Sequence, residues 1–351
     1  MTSPLRSTLL KAVVPALIGL AMVVWLFVDD FNPAAWRLLR FDTRTVVALA
    51  LALLFVAGRD FGLTWRFRTI TERELSWRRA LRVDIMCAFT SAITPSAVGG
   101  SALAIFYLNR EGISVGRATT LTLTTLLLDE LFFVVFCPLL LLVLPADMLF
   151  GSGANVLLHS IEWIFWLVYA GIVVWTAILF TGIIVRPQWL EAAVHRLFAI
   201  HILSRWRKGA YEMVANMKAT SAAVRSKPRR WWLEVFGATT LSWFSRYFVV
   251  NALFWGFVPA ASGLLVFGRQ FVVWVVLMIS PTPGGSGVSE WLFTNYYGDL
   301  IGSLSAALVI ATVWRLLSYY IYLVAGVCLA PSYFQKKRAA ERTKPAGEVL
   351  E

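Results

Sequence analysis

The residues best suited to chemistry lie in a proline- and glycine-rich break near the C-terminus. Residues 280–290 combine prolines, glycines and hydroxyl side chains between two apolar runs, and the stretch ends on the acidic Glu290. Proline lacks an amide donor and glycine favours turn conformations, so this stretch cannot continue a helix. A helix that starts after such a break points its first amides, with their partial positive charge, towards an anion. The break therefore predicts a discontinuous helix that lines a site for an anionic group such as phosphate.

An earlier break of the same kind lies at residues 92–101. Aligning the glycine pair of this break, Gly99-Gly100, with the later pair, Gly284-Gly285, gives an offset of 185 residues. The same offset aligns Glu130 with Arg315 in the apolar runs that follow the two breaks. The predicted substrate-binding residues of the two breaks are Pro95, Gly99, Gly100, Ser101, Pro283, Gly284, Gly285, Ser286 and Gly287. The alternative is that these glycines only allow the flanking arms to approach closely.

Charged side chains inside apolar runs form the second group of candidates. Asp129 and Glu130 lie near the middle of one run, and Arg246 and Arg315 lie within two others. An ionised carboxylate at the centre of a bilayer costs about 2.5–3.5 kcal/mol on insertion scales, so at least one should be paired or line a polar cavity. The two arginines are candidate partners or, alternatively, substrate-binding residues, because guanidinium geometry suits phosphate. Asp129, Glu130 and Glu290 are the predicted gating or coupling residues, and Glu290 is alternatively a helix cap worth about 0.3–1 kcal/mol.

The composition places these residues in a membrane protein. Of the 351 residues, 59% are hydrophobic, compared with about 45–50% in soluble domains, and the mean hydropathy is +0.71. The formal net charge of +12 comes from basic residues at the ends of apolar runs, as in cytoplasmic loops that face anionic lipid. Membrane lipids rather than nucleic acid are therefore the expected partners. His195, His201 and the three cysteines lack metal-ligand spacing, and no ATP-binding motif is present, so we expect neither a metal nor a cofactor.

The apolar runs predict an all-α polytopic membrane protein. Six full transmembrane helices are expected at about 12–28, 45–63, 118–144, 161–185, 231–258 and 301–330. The arms within residues 84–109 and 264–297 have roughly ten residues each, too short for a core of about 30 Å, so each pair predicts a re-entrant helical hairpin. Basic residues between the runs place both termini in the cytoplasm.

The order of these elements repeats along the chain. Residues 1–145 and 155–335 each contain two spans, one re-entrant hairpin and a third span, and residues 336–351 form a basic cytoplasmic tail. The hairpins enter the membrane from opposite sides, so we predict two inverted repeats. Inverted repeats with broken helices at the midplane are typical of secondary transporters.

Three motifs resemble the lysylphosphatidylglycerol synthase transmembrane-region family, which includes the flippase part of the multiple peptide resistance factor. They are Pro-Thr-Pro-Gly-Gly-x-Gly-x-x-Glu at 281–290, Pro-x-x-x-Gly at 95–99, and Arg-x-x-Ser-Tyr-Tyr from Arg315. The resemblance covers about residues 10–332 and implies a lipid-translocating module of the bacterial inner membrane. The chain departs from the family pattern after the first break, where Ser101 to Ala104 carry no basic residue, and at Asp129-Glu130, where the family usually has Glu-Arg. The chain ends about twenty residues after its last span, so we expect the soluble aminoacyl-transferase domain of the resistance factor to be missing.

These observations favour a flippase that moves a phospholipid or another phosphate-bearing lipid between leaflets, without enzymatic activity. Without an ATP-binding motif, a gradient drives the movement or the lipid moves downhill. Two alternatives stay open. An intramembrane enzyme acting on a lipid phosphate or a polyprenyl carrier would need a nucleophile or metal cluster at the membrane surface. A non-transporting membrane protein would recruit a separate lipid-modifying transferase through the basic loop at 186–230.

Overall fold

A computed structural model describes residues 42–94, 98–150, 156–185 and 220–330, and these residues form helices without a β-strand. The helices are α1 Thr43–Ile70, α2 Trp77–Ile93, α3 Val98–Arg110, α4 Val115–Val143, α5 Ala146–Phe150, α6 Val156–Phe180, α7 Arg229–Phe257, α8 Gly263–Leu277, α9 Val288–Ile301 and α10 Leu304–Arg315. Two of them continue beyond these bounds. The π-helical turn Thr181–Val185 extends α6, and α10 continues through the π-helical turn Leu316–Tyr320 to Ala330.

Four helices in the described part of the chain are long and apolar enough to cross a membrane. They are Thr43–Ile70, Val115–Val143, Leu158–Val185 and Leu304–Ala330. Helix α7 has 29 residues, a similar length, but it carries Arg229, Arg230, Glu234 and Arg246. The first expected span, at 12–28, lies outside the described residues. The four long apolar helices make this a helical multi-pass membrane protein.

Local hydrogen bonds determine where helices begin. At the start of α1 the Asp42 carboxylate accepts a hydrogen bond from the Thr45 amide at 3.0 Å, and this bond lowers the pKa of the Asp42 carboxyl. At the start of α10 the Ser303 hydroxyl accepts a hydrogen bond from the Ala306 amide at 3.3 Å. These caps satisfy amides that have no partner inside their own helix.

Helices α1 and α7 pack against each other in antiparallel directions along most of their length. Gly58 lies against Ser245, Gly62 against Ser242, and Gly256 near the N-terminal end of α1. A Cβ atom on Gly62 would lie 2.8 Å from the Ala238 carbonyl oxygen. The missing side chain therefore permits a close backbone approach, as is common between membrane helices.

Two pairs of short helices lie in the parts of the chain where the two hairpins are predicted. In the first, α2 and α3 have 17 and 13 residues and pack against each other. In the second, α8 and α9 have 15 and 14 residues. At about 1.5 Å per residue, even α2 reaches only about 26 Å, short of a hydrocarbon core of about 30 Å. Helix α2 begins at Trp77, seven residues before residue 84, where the hairpin was predicted to start. The first turns of α2 therefore include part of the basic segment that follows α1.

The link between α8 and α9 is irregular, as the prolines and glycines predict. Gly284, Gly285 and Gly287 have φ values of 57°, 70° and 81°, a region that L side chains rarely adopt. The next helix begins at Val288, directly after these glycines. Arg269 on α8 then fixes α9: its Nη2 donates to Asp299 Oδ2 at 2.7 Å and its Nη1 donates to the Tyr296 carbonyl at 2.6 Å.

Candidate functional site

The charged residues of several helices meet around one cavity of about 300 Å³. Helices α1, α2, α4, α7, α8 and α10 and the second glycine break contribute to its wall. Its charged lining residues are Arg59, Arg66, Asp84, Asp129, Glu130, Arg246 and Arg315. The volume is at the lower end of that of ligand pockets, and the many charges are unusual for the interior of membrane helices.

The two breaks touch each other at this cavity. The Gly284 amide donates to the Thr94 carbonyl at 3.2 Å, which joins the second break to the end of α2. The Tyr319 hydroxyl donates to the Ala92 carbonyl at 3.1 Å and accepts a hydrogen bond from the Ser286 hydroxyl at 2.9 Å. Tyr319 lies in the π-helical turn of α10, a distortion that often occurs at functional sites.

Glu290 and Arg315 form an ion pair beside the second break. Arg315 Nε donates to Glu290 Oε1 at 3.0 Å, and Glu290 is 0% and Arg315 6% exposed. The second carboxylate oxygen, Oε2, accepts from the Gly287 amide and the Ser289 hydroxyl, each at 2.8 Å. Glu290 therefore caps the start of α9 and pairs with Arg315 at the same time.

The four consecutive amides from Gly284 to Gly287 all have acceptors in this conformation. Gly284 donates to Thr94, and the Gly285 and Ser286 amides donate to the carbonyls of Thr282 and Pro283 at 3.1 and 3.0 Å. The Gly287 amide donates to Glu290. An incoming phosphate would therefore have to replace existing acceptors, and the carboxylate of Glu290 is the acceptor whose charge it would match.

Asp129 is held by residues of α1 and α7. Its Oδ1 accepts from Arg66 Nη1 at 2.5 Å and from Trp243 Nε1 at 2.9 Å. Arg66, which is 4% exposed, also donates to the Thr239 hydroxyl at 3.3 Å. Arg66 is thus the partner of Asp129, in place of the two candidate partners Arg246 and Arg315.

Arg59 belongs to a separate network that joins α1 to α10. Arg59 Nη1 donates to Asp60 Oδ1 at 2.8 Å, and the Tyr322 hydroxyl donates to the same oxygen at 2.7 Å. The Arg59 guanidinium also lies 4.3 Å from the centroid of the Tyr322 ring. The positive charge of Arg59 is therefore largely balanced within the wall of the cavity.

Arg246 differs from the other cavity arginines because it has no carboxylate within ion-pair distance among the described residues. Its guanidinium carbon lies 4.7 Å from the Trp243 ring centroid and 4.3 Å from the Trp274 ring centroid. Two tryptophan faces hold the cation by cation–π attraction but leave its hydrogen-bond donors unused. Its buried Nε has no hydrogen-bond acceptor in the described structure. Arg246 can therefore bind an anion that enters the cavity.

Two carboxylates of the cavity also lack partners. Asp84 is 2% exposed, and its Oδ2 is buried without a hydrogen bond to any described residue. Glu130 Oε2 is in the same situation. A buried acceptor without a partner is costly, and the cost is larger for a charged group. Glu130 was among the predicted residues and Asp84 was not; the one signal for Asp84 in the sequence is a lone carboxylate next to the apolar run from Ile85.

The structure brings most of the predicted site residues together. The cavity is lined by Gly284, Gly285, Arg246, Arg315, Asp129 and Glu130, while Glu290 and Ser286 contact its lining residues Arg315 and Tyr319. Pro283 and Gly287 lie in the same break, where the Pro283 carbonyl and the Gly287 amide form the hydrogen bonds described above. Gly99, Gly100 and Ser101 belong to the first turns of α3, but their surroundings and Pro95 lie outside what the structure describes. Within the described ranges, no group of three His, Cys, Asp or Glu side chains is placed to hold a metal ion.

A multi-pass helical fold with a charged internal cavity defines a membrane protein with a polar site between its helices. The sequence matches the family described as "Lysylphosphatidylglycerol synthase TM region" over residues 12–326, and the chain belongs to this family. A curated relative, the "UPF0104 membrane protein" of Archaeoglobus fulgidus, is 21% identical over 290 residues, which cover 79% of this chain and 84% of the relative. No solved structure matches the chain. The family is membrane-associated and lipid-related.

Proposed function

We propose that this protein is an inner-membrane flippase that moves a phospholipid or another phosphate-bearing lipid between leaflets. The observation that carries the proposal is Arg246, a cation without a carboxylate partner in a cavity among membrane helices. A phosphate accepts hydrogen bonds from a guanidinium in bidentate geometry, and the flanking tryptophans keep the guanidinium plane oriented. Membrane lipids are the abundant source of such a group at this depth.

The proposed architecture consists of two inverted repeats with six spans, two oppositely oriented re-entrant hairpins and cytoplasmic termini. The helix lengths support this proposal. The same order of long, short, short and long helices occurs twice. In the first half, α1 to α4 have 28, 17, 13 and 29 residues. In the second half, the lengths are 29, 15 and 14 residues for α7 to α9 and 27 residues for Leu304–Ala330. The antiparallel packing of α1 and α7, which are equivalent helices in the two halves, is the arrangement that an inverted pair requires.

In the proposed cycle, Glu290 acts as an internal anion that a lipid phosphate displaces. Its carboxylate holds the Gly287 amide and Arg315, two donors that suit a phosphate at a helix start. Displacement would open the contact between the breaks at Thr94 and Gly284 and expose the cavity to the other leaflet. The break glycines and Ser286 would then contact the head group, together with Gly99, Gly100 and Ser101 on the opposite side.

Reconstitution tests this function directly. Purified protein in proteoliposomes should make an inner-leaflet fluorescent phospholipid reachable by a membrane-impermeant quencher, whereas a fluorescent glycolipid without phosphate should stay protected. Product analysis of the same vesicles should recover the lipids unmodified. Phospholipid protection equal to that in protein-free vesicles would contradict the transport proposal, and covalent turnover of the lipid would favour an enzyme.

A further inference from the structure

The charges around the cavity leave an unbalanced set after the ion pairs are removed. The pairs are Arg59–Asp60, Arg66–Asp129 and Arg315–Glu290. The groups that remain on the wall are Arg246, Asp84 and Glu130. Their formal charge is −1 when both carboxylates are ionised and +1 when both hold a proton. An anion therefore enters a favourable field only after the cavity has taken up protons.

Asp84 is the better placed of the two carboxylates to bind a proton. Its Oδ2 is buried without a hydrogen-bond partner among the described residues, and Asp84 forms no ion pair within 4.0 Å with a described cation. An ionised carboxylate in this position would pay a desolvation cost of several kcal/mol that no partner offsets. A proton removes this cost. Asp84 is only 2% exposed, which favours a proton over a bulkier cation such as a hydrated metal ion.

The charged neighbours of Asp84 show which group would respond to its protonation. The charged groups that act on Asp84 are Arg59, Asp60 and Arg66 on α1 and Arg246 on α7. Its titratable neighbours are Tyr322 on the continuation of α10 and Cys87 on α2, and Cys87 in turn interacts with Tyr107 of α3. Arg59 and Arg66 are already paired with other carboxylates. Arg246 is not, so an ionised Asp84 competes with an incoming anion for this arginine.

We propose that Asp84 takes up a proton from water when an anionic head group binds Arg246 and releases it when the head group leaves. The lipid movement would then be coupled to protons. By linkage, a proton on Asp84 strengthens anion binding by the same factor by which the anion strengthens proton binding. This inference rests on the proposed lipid transport for its role, but the proton site itself can be measured without transport.

The first test is infrared difference spectroscopy of the purified protein between high and low pH. The wild type should show the C=O stretch of protonated carboxyl groups, and Asp84→Asn should lack one component of that band. Glu130→Gln serves as the control for the other unpaired carboxylate and should retain the Asp84 component. Spectra of Asp84→Asn that equal those of the wild type would overturn the proton site.

The second test follows phospholipid exchange in proteoliposomes as a function of pH. The wild-type rate should rise as the pH falls, by up to about tenfold per pH unit, the limit for one proton. Asp84→Asn should remove this dependence and Asp84→Glu, which keeps a carboxyl group, should retain it. An unchanged pH profile in Asp84→Asn would contradict coupling through this residue. No exchange by the wild type at any pH would instead refute the transport function, while the infrared result would still decide the proton site.

Discussion

Arg315 Nε lies 3.0 Å from Glu290 Oε1, and this pair connects α10 to the first turn of α9 with almost no exposure of either side chain. Replacing Arg315 with Met, which is similar in size, leaves the Glu290 charge buried without its cation. We expect the free energy of unfolding in detergent to fall by about 3–5 kcal/mol, as for other broken buried pairs.

A double-mutant cycle separates the pair from the cap. The variant with Arg315→Met and Glu290→Gln should lose less stability than the sum of the two single variants, because neither partner is left charged without the other. Additive losses would mean that Glu290 contributes through the Gly287 amide and Ser289 alone.

The packing of α1 on α7 gives a second prediction. Gly62→Ala should lower the free energy of unfolding by about 1–3 kcal/mol, because its Cβ would meet backbone atoms of Ala238 and Ser242 at 2.8–2.9 Å. Gly237 on α7 is the matched control, since nothing lies within 4 Å of a Cβ at that position. Gly237→Ala should be neutral or stabilise by up to about 1 kcal/mol through helix propensity. Equal effects of the two substitutions would contradict the close approach of the helices.

If the two halves are inverted repeats, the equivalent loops after α1 and α7 lie on opposite sides of the membrane. Glu72 follows α1, Ala260 follows α7, and both are exposed. Single cysteines at these positions, in a variant without the three native cysteines, should react with an impermeant maleimide from opposite sides of right-side-out and inside-out vesicles. Glu72→Cys should react from the cytoplasmic side because of the arginines around it. Labelling of both positions from one side would refute the inverted topology.

The helices and the two breaks could be predicted from local patterns because apolar length, proline and glycine act within a few residues of themselves. The pairing of charges could not. Asp129 finds Arg66, 63 positions away, and Thr94 meets Gly284 through a backbone contact that no side-chain type encodes. Asp84 was missed because it adjoins the basic segment after α1, where a carboxylate is usually solvated. Only the packing of α2 against its neighbours shows that this side chain is buried.

The proposed transport depends on binding of the lipid phosphate by Arg246, and the matched pair Arg246→Gln and Arg44→Gln tests this role. Arg44 also lies over a tryptophan, 4.9 Å from the Trp255 ring centroid, but it does not line the cavity. Charged hydrogen bonds contribute about 1.5–3 kcal/mol, so Arg246→Gln should slow phospholipid exchange at least about tenfold.

The decisive measurement is therefore the rate of phospholipid exchange in proteoliposomes that contain equal amounts of folded wild type, Arg246→Gln or Arg44→Gln. We expect a slow rate for Arg246→Gln alone, with Arg44→Gln at the wild-type rate. Exchange by Arg246→Gln at the wild-type rate would contradict this role of Arg246.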